Sequence, residues 1–170
     1  MTLGGRVRAI SGVLLLVAAS TCPASANTST LFHGLHCVPY GNPTASWTNI
    51  STTGAGPANH NASAANLMCP SAFPFPVNSG TQFGGGAAVL DRNPSASVTM
   101  YLCAVNSFAS SSVCSTVASS GSAYTGGYAL AQTLVWPIAQ GDTGFLIVSL
   151  PAISSGNVSH VVNYSITENT

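Results

Sequence analysis

Apolar and polar residues alternate along several short segments of the chain, with the period of two that is typical of half-buried β-strands. In the segment 98–105 every second residue is apolar, and Tyr101 lies on the opposite face from that apolar set. The segment 128–136 has the same pattern, with Gln132 as the one polar residue in its apolar stripe. Both segments predict strands with one face in a core.

The segment 158–166 predicts a half-buried strand near the C-terminus. Its even-numbered residues form the more apolar face, which contains Tyr164 and also His160. The odd-numbered residues are mainly polar and include Val161 as an exception. We therefore expect the even-numbered face to be buried, with a histidine among its apolar residues.

Four other segments are predicted as strands from their apolar content. The segment 144–150 is almost wholly apolar and is closed by Pro151, which indicates a central strand. The segment 87–90 is a shorter candidate, and 46–50 and 64–68 are weaker ones.

Turn-forming residues separate these segments at short intervals, and no window is long enough for a helix without interruption by Pro, Gly or β-branched residues. The predicted turns are Gly41-Asn42-Pro43, Gly54-Ala55-Gly56-Pro57, Gly84-Gly85-Gly86, Asn93-Pro94, Gly121-Ser122 and Gly156-Asn157. The serine-rich segment 107–122 is predicted to be a loop held by Cys114. Many short strands with frequent turns predict an all-β fold, an antiparallel β-sandwich or jelly roll.

The first residues have the pattern of an export signal. Arg6 and Arg8 precede the apolar stretch 9–19, and Ala24-Ser25-Ala26 fits the small-residue cleavage site. We predict a signal peptide at 1–26 and a single domain at 27–170, secreted to the periplasm or outside the cell. An uncleaved anchor and a lipoprotein acylated at Cys22 are the less favoured alternatives. No later apolar run is long enough for a membrane-spanning helix.

Removal of 1–26 changes the charge of the chain. One arginine, Arg92, remains against Asp91, Asp142 and Glu168, which gives a side-chain charge of −2. Charged residues make up 4% of the whole sequence, compared with about 25% in ordinary soluble domains. One arginine cannot replace the counterions around several phosphates, so we do not expect nucleic acid or anionic membranes as partners. The 46% apolar content still predicts a folded core.

Four cysteines remain after the signal peptide, and an even number in an exported protein predicts two disulfides. Three pairings are open. We favour Cys37 with Cys69 and Cys103 with Cys114, because sequential pairs close the shortest loops. A zinc site is disfavoured because no C-x₂-C pair occurs.

Several short motifs follow one another in an order that resembles a loose group of secreted bacterial proteins of unknown function. The motifs are Cys37-Val38-Pro39, Asn66-Leu67-Met68-Cys69-Pro70, Val89-Leu90-Asp91-Arg92-Asn93, Val98 to Cys103, Ser149-Leu150-Pro151 and Tyr164-Ser165-Ile166-Thr167-Glu168. The resemblance implies a cysteine-stapled β-sandwich and no particular activity. Ser149 stands where the group has a cysteine before Leu-Pro, which makes Cys114 the replacement partner of Cys103.

The polar residues do not form a recognisable catalytic or metal-binding pattern. His33 and His36 would point to opposite faces of a strand, and His60 lies in a loop, so no metal site and no cofactor are predicted. Asp91 is expected to form an Asx turn and a local ion pair with Arg92, in preference to a catalytic pair with Asp142. No G-x-S-x-G motif occurs, which argues against a hydrolase. A small secreted hydrolase with an unidentified Ser/His/Asp site is the alternative function.

Aromatic residues offer a different kind of site. Tyr40, Trp47 and Trp136 are candidates for stacking against sugar rings, although Trp47 and Trp136 are favoured as core residues. We expect an exported, non-catalytic structural or binding module at the cell surface or outside the cell. The more specific prediction is that this module binds a glycan or another component of the cell envelope weakly.

Overall fold

A computed structural model describes residues 28–41, 50–53, 56–71, 82–106, 111–121, 125–135 and 143–169. The predicted signal peptide, Trp47, Trp136 and Asp142 lie outside these residues, as does most of the predicted strand 46–50. Within the described residues there are twelve β-strands and one 3₁₀ turn at Gly34–His36, and no α-helix is found.

The strands follow the alternating segments of the sequence. They are β1 (Thr28–His33), β2 (Val38–Pro39), β3 (Ile50–Thr53), β4 (Gly56–Asn59), β5 (Ala65–Pro70), β6 (Gln82–Asp91), β7 (Thr99–Asn106), β8 (Ser111–Cys114), β9 (Ala118–Ser119), β10 (Gly126–Val135), β11 (Thr143–Leu150) and β12 (His160–Asn169). The predicted segments 64–68, 98–105, 128–136 and 144–150 correspond to β5, β7, β10 and β11.

These strands form two antiparallel sheets. Sheet A has the order β10-β6-β12-β4-β3, with β1 also paired to β12. Sheet B has the order β2-β5-β11-β7-β8, with β9 also paired to β7. The prediction of an antiparallel β-sandwich is therefore confirmed.

The core lies between the inner faces of the two sheets. Sheet A contributes Val89, Leu130, Tyr164 and Ile166, and sheet B contributes Leu67, Met100, Leu102, Leu146, Val148 and Leu150. β11 is central in sheet B, as predicted, but only its even-numbered residues are buried. Its odd-numbered residues, among them Phe145 and Ile147, are half-buried on the outer face of the sheet.

The glycines Gly84, Gly85 and Gly86 are not a turn, and that prediction was wrong. They lie in the middle of β6, a strand of 10 residues that extends the predicted segment 87–90. A Cβ on Gly85 would come within 2.8 Å of Leu102 Cδ1 and 2.9 Å of Leu146 Cδ2. The absence of a side chain therefore lets sheet B pack closely on this part of sheet A.

The even-numbered residues His160, Tyr164 and Ile166 are buried as predicted, but Val161 is buried as well. The register of β12 against β6 shifts between Val161 and Asn163, so Val162 forms a β-bulge. The extra residue reverses the alternation. Val161 consequently lies opposite Val89 in the core with 0% exposure, whereas the prediction placed it on the polar face.

The serine-rich segment 107–122 is not simply a loop. It contains β8 and β9, which pair with opposite ends of β7. Both predicted disulfides are present, Cys37–Cys69 and Cys103–Cys114, and each pairing is the sequential one. The second bridge joins directly opposed residues of β7 and β8, which explains why this segment takes strand conformation beside β7.

Candidate functional site

The outer face of sheet B carries a row of apolar side chains that crosses four strands. Val38, Met68, Ile147 and Tyr101 are successive cross-strand partners on β2, β5, β11 and β7. Val38 is 47% exposed and Tyr101 is 38% exposed. Because neighbouring strands lie about 4.8 Å apart, the row is roughly 14 Å long.

A second apolar row lies next to the first. It consists of Pro70, Phe145 and the Cys103–Cys114 disulfide, which are again successive cross-strand partners. Cys114 is the exposed half of this bridge, and Cys103 has 0% exposure. We call these two rows the platform. Large apolar side chains of a sheet normally face the core, so two adjacent apolar rows on an outer face make this face the candidate binding surface.

Polar rows border the platform on both sides. Asn66, Ser149, Thr99 and Ser119 are cross-strand partners along one border. Thr143 and Ser112 lie along the other, on either side of Val105. Hydroxyl and amide groups both donate and accept hydrogen bonds, so a polar ligand on the platform has partners at both edges.

A groove of about 270 Å³ opens at one end of the platform, where β11 begins. It is lined by Met68, Pro70, Ser71, Val105, Thr143, Gly144 and Phe145. No charged residue occurs among the groove, the platform and its two borders. The site therefore suits an uncharged ligand that has both apolar and hydroxyl surface.

The predicted stacking residues are placed as follows. Tyr40 follows β2 and is 45% exposed, and its backbone N–H donates to the carbonyl of Asn66 at 2.8 Å. Alternation from Val38 puts Tyr40 on the same outer face, beside the polar border. Trp47 and Trp136 lie outside the described residues. Sequence reasoning missed Phe145, although its odd position in an apolar segment was a usable signal.

Asp91, the other candidate of interest, is structural. Its carboxylate is buried with 0% exposure and accepts four hydrogen bonds. The donors are the backbone N–H groups of Asn93 (3.0 Å) and Val98 (3.1 Å) and the hydroxyls of Ser120 (2.5 Å) and Ser159 (2.9 Å). The bond from Asn93 is the predicted Asx turn.

The predicted ion pair between Asp91 and Arg92 is not formed. The four donors occupy the carboxylate, and Arg92 instead uses its backbone N–H to donate to Ser159 Oγ at 3.1 Å. Both serine hydroxyls that reach Asp91 are buried and donate to it directly. Neither is therefore placed as an exposed nucleophile of the kind that a Ser/His/Asp hydrolase needs.

The histidines are dispersed. The prediction that His33 and His36 are residues of one strand was wrong. Gly34–His36 forms a 3₁₀ turn that is capped by His33. His33 Nδ1 accepts a hydrogen bond from the N–H of Leu35 at 3.2 Å. Across the described ranges, no three His, Cys, Asp or Glu side chains lie close enough to share a metal ion.

His160 is buried at the start of β12, where it lies opposite Leu90 on one side and Ala58 on the other. Its Nδ1 has no hydrogen-bond partner among the described residues. Burial lowers the pKa of His160 below its usual 6.5. A hydrogen bond with the Gly56 backbone acts to raise this pKa, and the nearby Arg92 and His60 lower it further.

The described residues include no helix that is both long and apolar enough to cross a membrane. No protein-family model matches the chain, and no curated protein matches it significantly. The resemblance to the group of secreted bacterial proteins therefore stays a prediction.

Solved structures with the same architecture do exist. A xylan-binding module, CBM15, matches with a TM-score of 0.55 and 11% identity over 84% of this chain and 97% of that chain. The C-terminal CBM6 of LamC, a marine laminarinase from Zobellia galactanivorans, matches with a TM-score of 0.50 and 13% identity over 83% and 100%. At these identities the likeness is one of fold, and this chain has the β-sandwich fold of these modules.

Proposed function

We propose that this protein is an exported, non-catalytic module that binds a neutral polysaccharide on the platform of sheet B. The observation that carries the proposal is the pair of apolar rows, with Tyr101 and Phe145 among them and polar rows on both sides. The shared fold with a xylan-binding module and with a module of a laminarinase supports the same class of ligand.

Sugar chemistry fits this surface. A pyranose ring has C–H faces that pack on aromatic and aliphatic side chains, and it has hydroxyls at its rim. Tyr101 and Phe145 lie on adjacent strands in a diagonal relation, close enough for one sugar to contact both. The rim hydroxyls then reach Asn66 and Ser149 on one border or Thr143 on the other.

The platform is open, so it covers only one side of a chain. We therefore expect weak binding, with a dissociation constant on the order of 1 mM, about −4 kcal/mol. A length of roughly 14 Å favours oligosaccharides over single sugars. The absence of charged residues from the platform favours neutral glycans over acidic ones.

The compartment is part of the proposal. Export through the predicted signal peptide at 1–26 brings the chain to an oxidising environment, where both disulfides persist. Insoluble polysaccharides are also found outside the cytoplasm, and the platform carries no charge that would repel them.

Affinity electrophoresis through gels that contain xylan, laminarin or a polyuronate tests the proposal. The neutral glycans should retard the wild-type protein and the polyuronate should not. Tyr101→Ala and Phe145→Ala should each weaken retardation at least fivefold. Leu31→Ala is the matched control, because Leu31 is a 70% exposed apolar residue on sheet A.

Unchanged retardation of Tyr101→Ala and Phe145→Ala, with both variants folded by circular dichroism, would move the glycan site away from the platform. A lack of retardation by every glycan, together with hydrolysis of ester or peptide substrates, would instead support the alternative hydrolase.

A further inference from the structure

β10 forms one edge of sheet A and differs from the other edge strands. It is 10 residues long and pairs with β6 without any shift of register. Its sequence contains no proline and no charged residue. No described strand pairs with its second edge over residues 129–135.

Within the described ranges, the other outer strands of both sheets are short. β2 has 2 residues and contains Pro39, β3 and β8 have 4 each, β9 has 2, and β1 has 6. Short length and proline are two of the ways in which proteins prevent edge-to-edge pairing, together with charge and bulges. β10 has none of these protections, so its edge is suited to accept another strand.

Gln132 is a second, independent observation. It lies on the inner face of β10 between the buried residues Leu130 and Leu134, and it is half-buried. Its side-chain amide carries both hydrogen-bond donors and an acceptor. Two such amides that face each other across a two-fold axis can pair with one another, so Gln132 makes this edge self-complementary.

We propose that β10 pairs antiparallel with β10 of a second copy of this protein, around a two-fold axis at Gln132. This register places the two Gln132 amides opposite each other, where each donates to the other. It also places Leu130 opposite Leu134 of the partner subunit, so the apolar inner face continues across the junction.

The second copy is the partner that fits these residues. Outer-face positions at the junction carry small side chains, Ala131 opposite Thr133 of the partner subunit, which allow the strands to approach. Neither strand carries charge, so the two copies do not repel one another at the junction. A single strand pair makes an interface at the small end of the usual range, so the dimer should depend on concentration.

Sedimentation equilibrium of the processed protein between about 1 µM and 1 mM tests the proposal, a range chosen to bracket weak association. We expect a monomer–dimer equilibrium that stops at the dimer, because two-fold pairing uses the only edge involved. Gln132→Glu is nearly isosteric and places two carboxylates face to face, so it should weaken dimerisation at least tenfold. Ser165→Glu adds the same charge to central β12, where it should have no effect.

Amide hydrogen exchange provides a second measurement that does not need a variant. Exchange in β10 should slow as the concentration of wild-type protein rises, while exchange in β3 should not. A protein that stays monomeric to 1 mM would overturn the proposal, as would equal dimerisation of Gln132→Glu and Ser165→Glu. Open-ended assembly would also overturn it.

Discussion

The phenolic hydroxyl of Tyr164 donates a 2.7 Å hydrogen bond to the carbonyl oxygen of Pro70 and so connects the two sheets. Tyr164 lies on β12 of sheet A and Pro70 on β5 of sheet B. The tyrosine ring stacks on Phe32 with a centroid distance of 5.0 Å. Burial raises the pKa of Tyr164 to about 12, so the hydroxyl remains a donor at neutral pH.

Tyr164→Phe should lower the free energy of unfolding by about 1 kcal/mol, the usual net contribution of a hydrogen bond. The ring and its stacking on Phe32 are kept, so the change isolates the hydroxyl. Urea unfolding at pH 7 provides the measurement. Tyr101→Phe, which removes an exposed hydroxyl, is the control, and equal stability of the two variants would contradict the role assigned to Tyr164.

Asp91→Asn should be much more costly, by about 3 kcal/mol. The amide nitrogen of the new side chain would face either the donors Val98 and Ser120 or the donors Asn93 and Ser159, so two donors lose their acceptor. Guanidinium chloride unfolding measures this loss. Arg92→Gln removes the neighbouring charge without touching the carboxylate and should stay within about 0.5 kcal/mol of wild type.

Gly56→Ala should destabilise the protein by about 3 kcal/mol, since overpacking and an unfavourable φ act together. A Cβ on Gly56 would overlap the carbonyl oxygen of Val161, next to the bulge in β12, and the φ of Gly56 is +104°. Gly127→Ala is the matched control, because a Cβ there has no neighbour within 4 Å. Differential scanning calorimetry of both variants should show a lower Tm only for Gly56→Ala.

Acid should destabilise the protein through His160. Its pKa is lowered in the folded state, so the unfolded chain binds the proton more readily. The stability that neutral His160 provides is complete above about pH 6.5 and is lost as the pH falls from there through the lowered pKa.

Urea midpoints measured from pH 7.5 to pH 4.5 test this dependence, a range that spans the usual titration of histidine. His160→Gln should flatten the pH dependence, while His36→Gln, which changes an exposed imidazole, should leave it as in the wild type. If the His160→Gln profile still falls as steeply as that of the wild type, another group is responsible for the acid sensitivity.

Alternation along the chain predicted the strands well where each strand buries one face throughout, as in β7 and β11. It failed at Gly84, Gly85 and Gly86, because glycine has a low strand propensity. In the folded protein, Leu102 and Leu146 of the other sheet fill the space that a side chain on Gly85 would need. It also failed for Val161 in β12, because the extra residue at Val162 reverses the alternation there. Neither effect is local to the segment concerned.

The platform could not be predicted from the sequence for a related reason. Each outer residue, such as Tyr101 or Ile147, looks ordinary on its own strand, since isolated exposed apolar residues are common. The apolar rows emerge only once the register of four strands is known. Buried Asp91 was similarly misjudged in part, because its serine partners are 29 and 68 residues away.

Both disulfides belong to sheet B. Cys37, just before β2, is bonded to Cys69 in β5, and Cys103 in β7 is bonded to Cys114 in β8. Sheet A has no covalent cross-link of its own among the described residues. Local opening under heat, shear or proteolysis should therefore begin in sheet A, since its strands can separate without breaking a covalent bond. The face that carries the platform would then be the last part of the molecule to lose its shape.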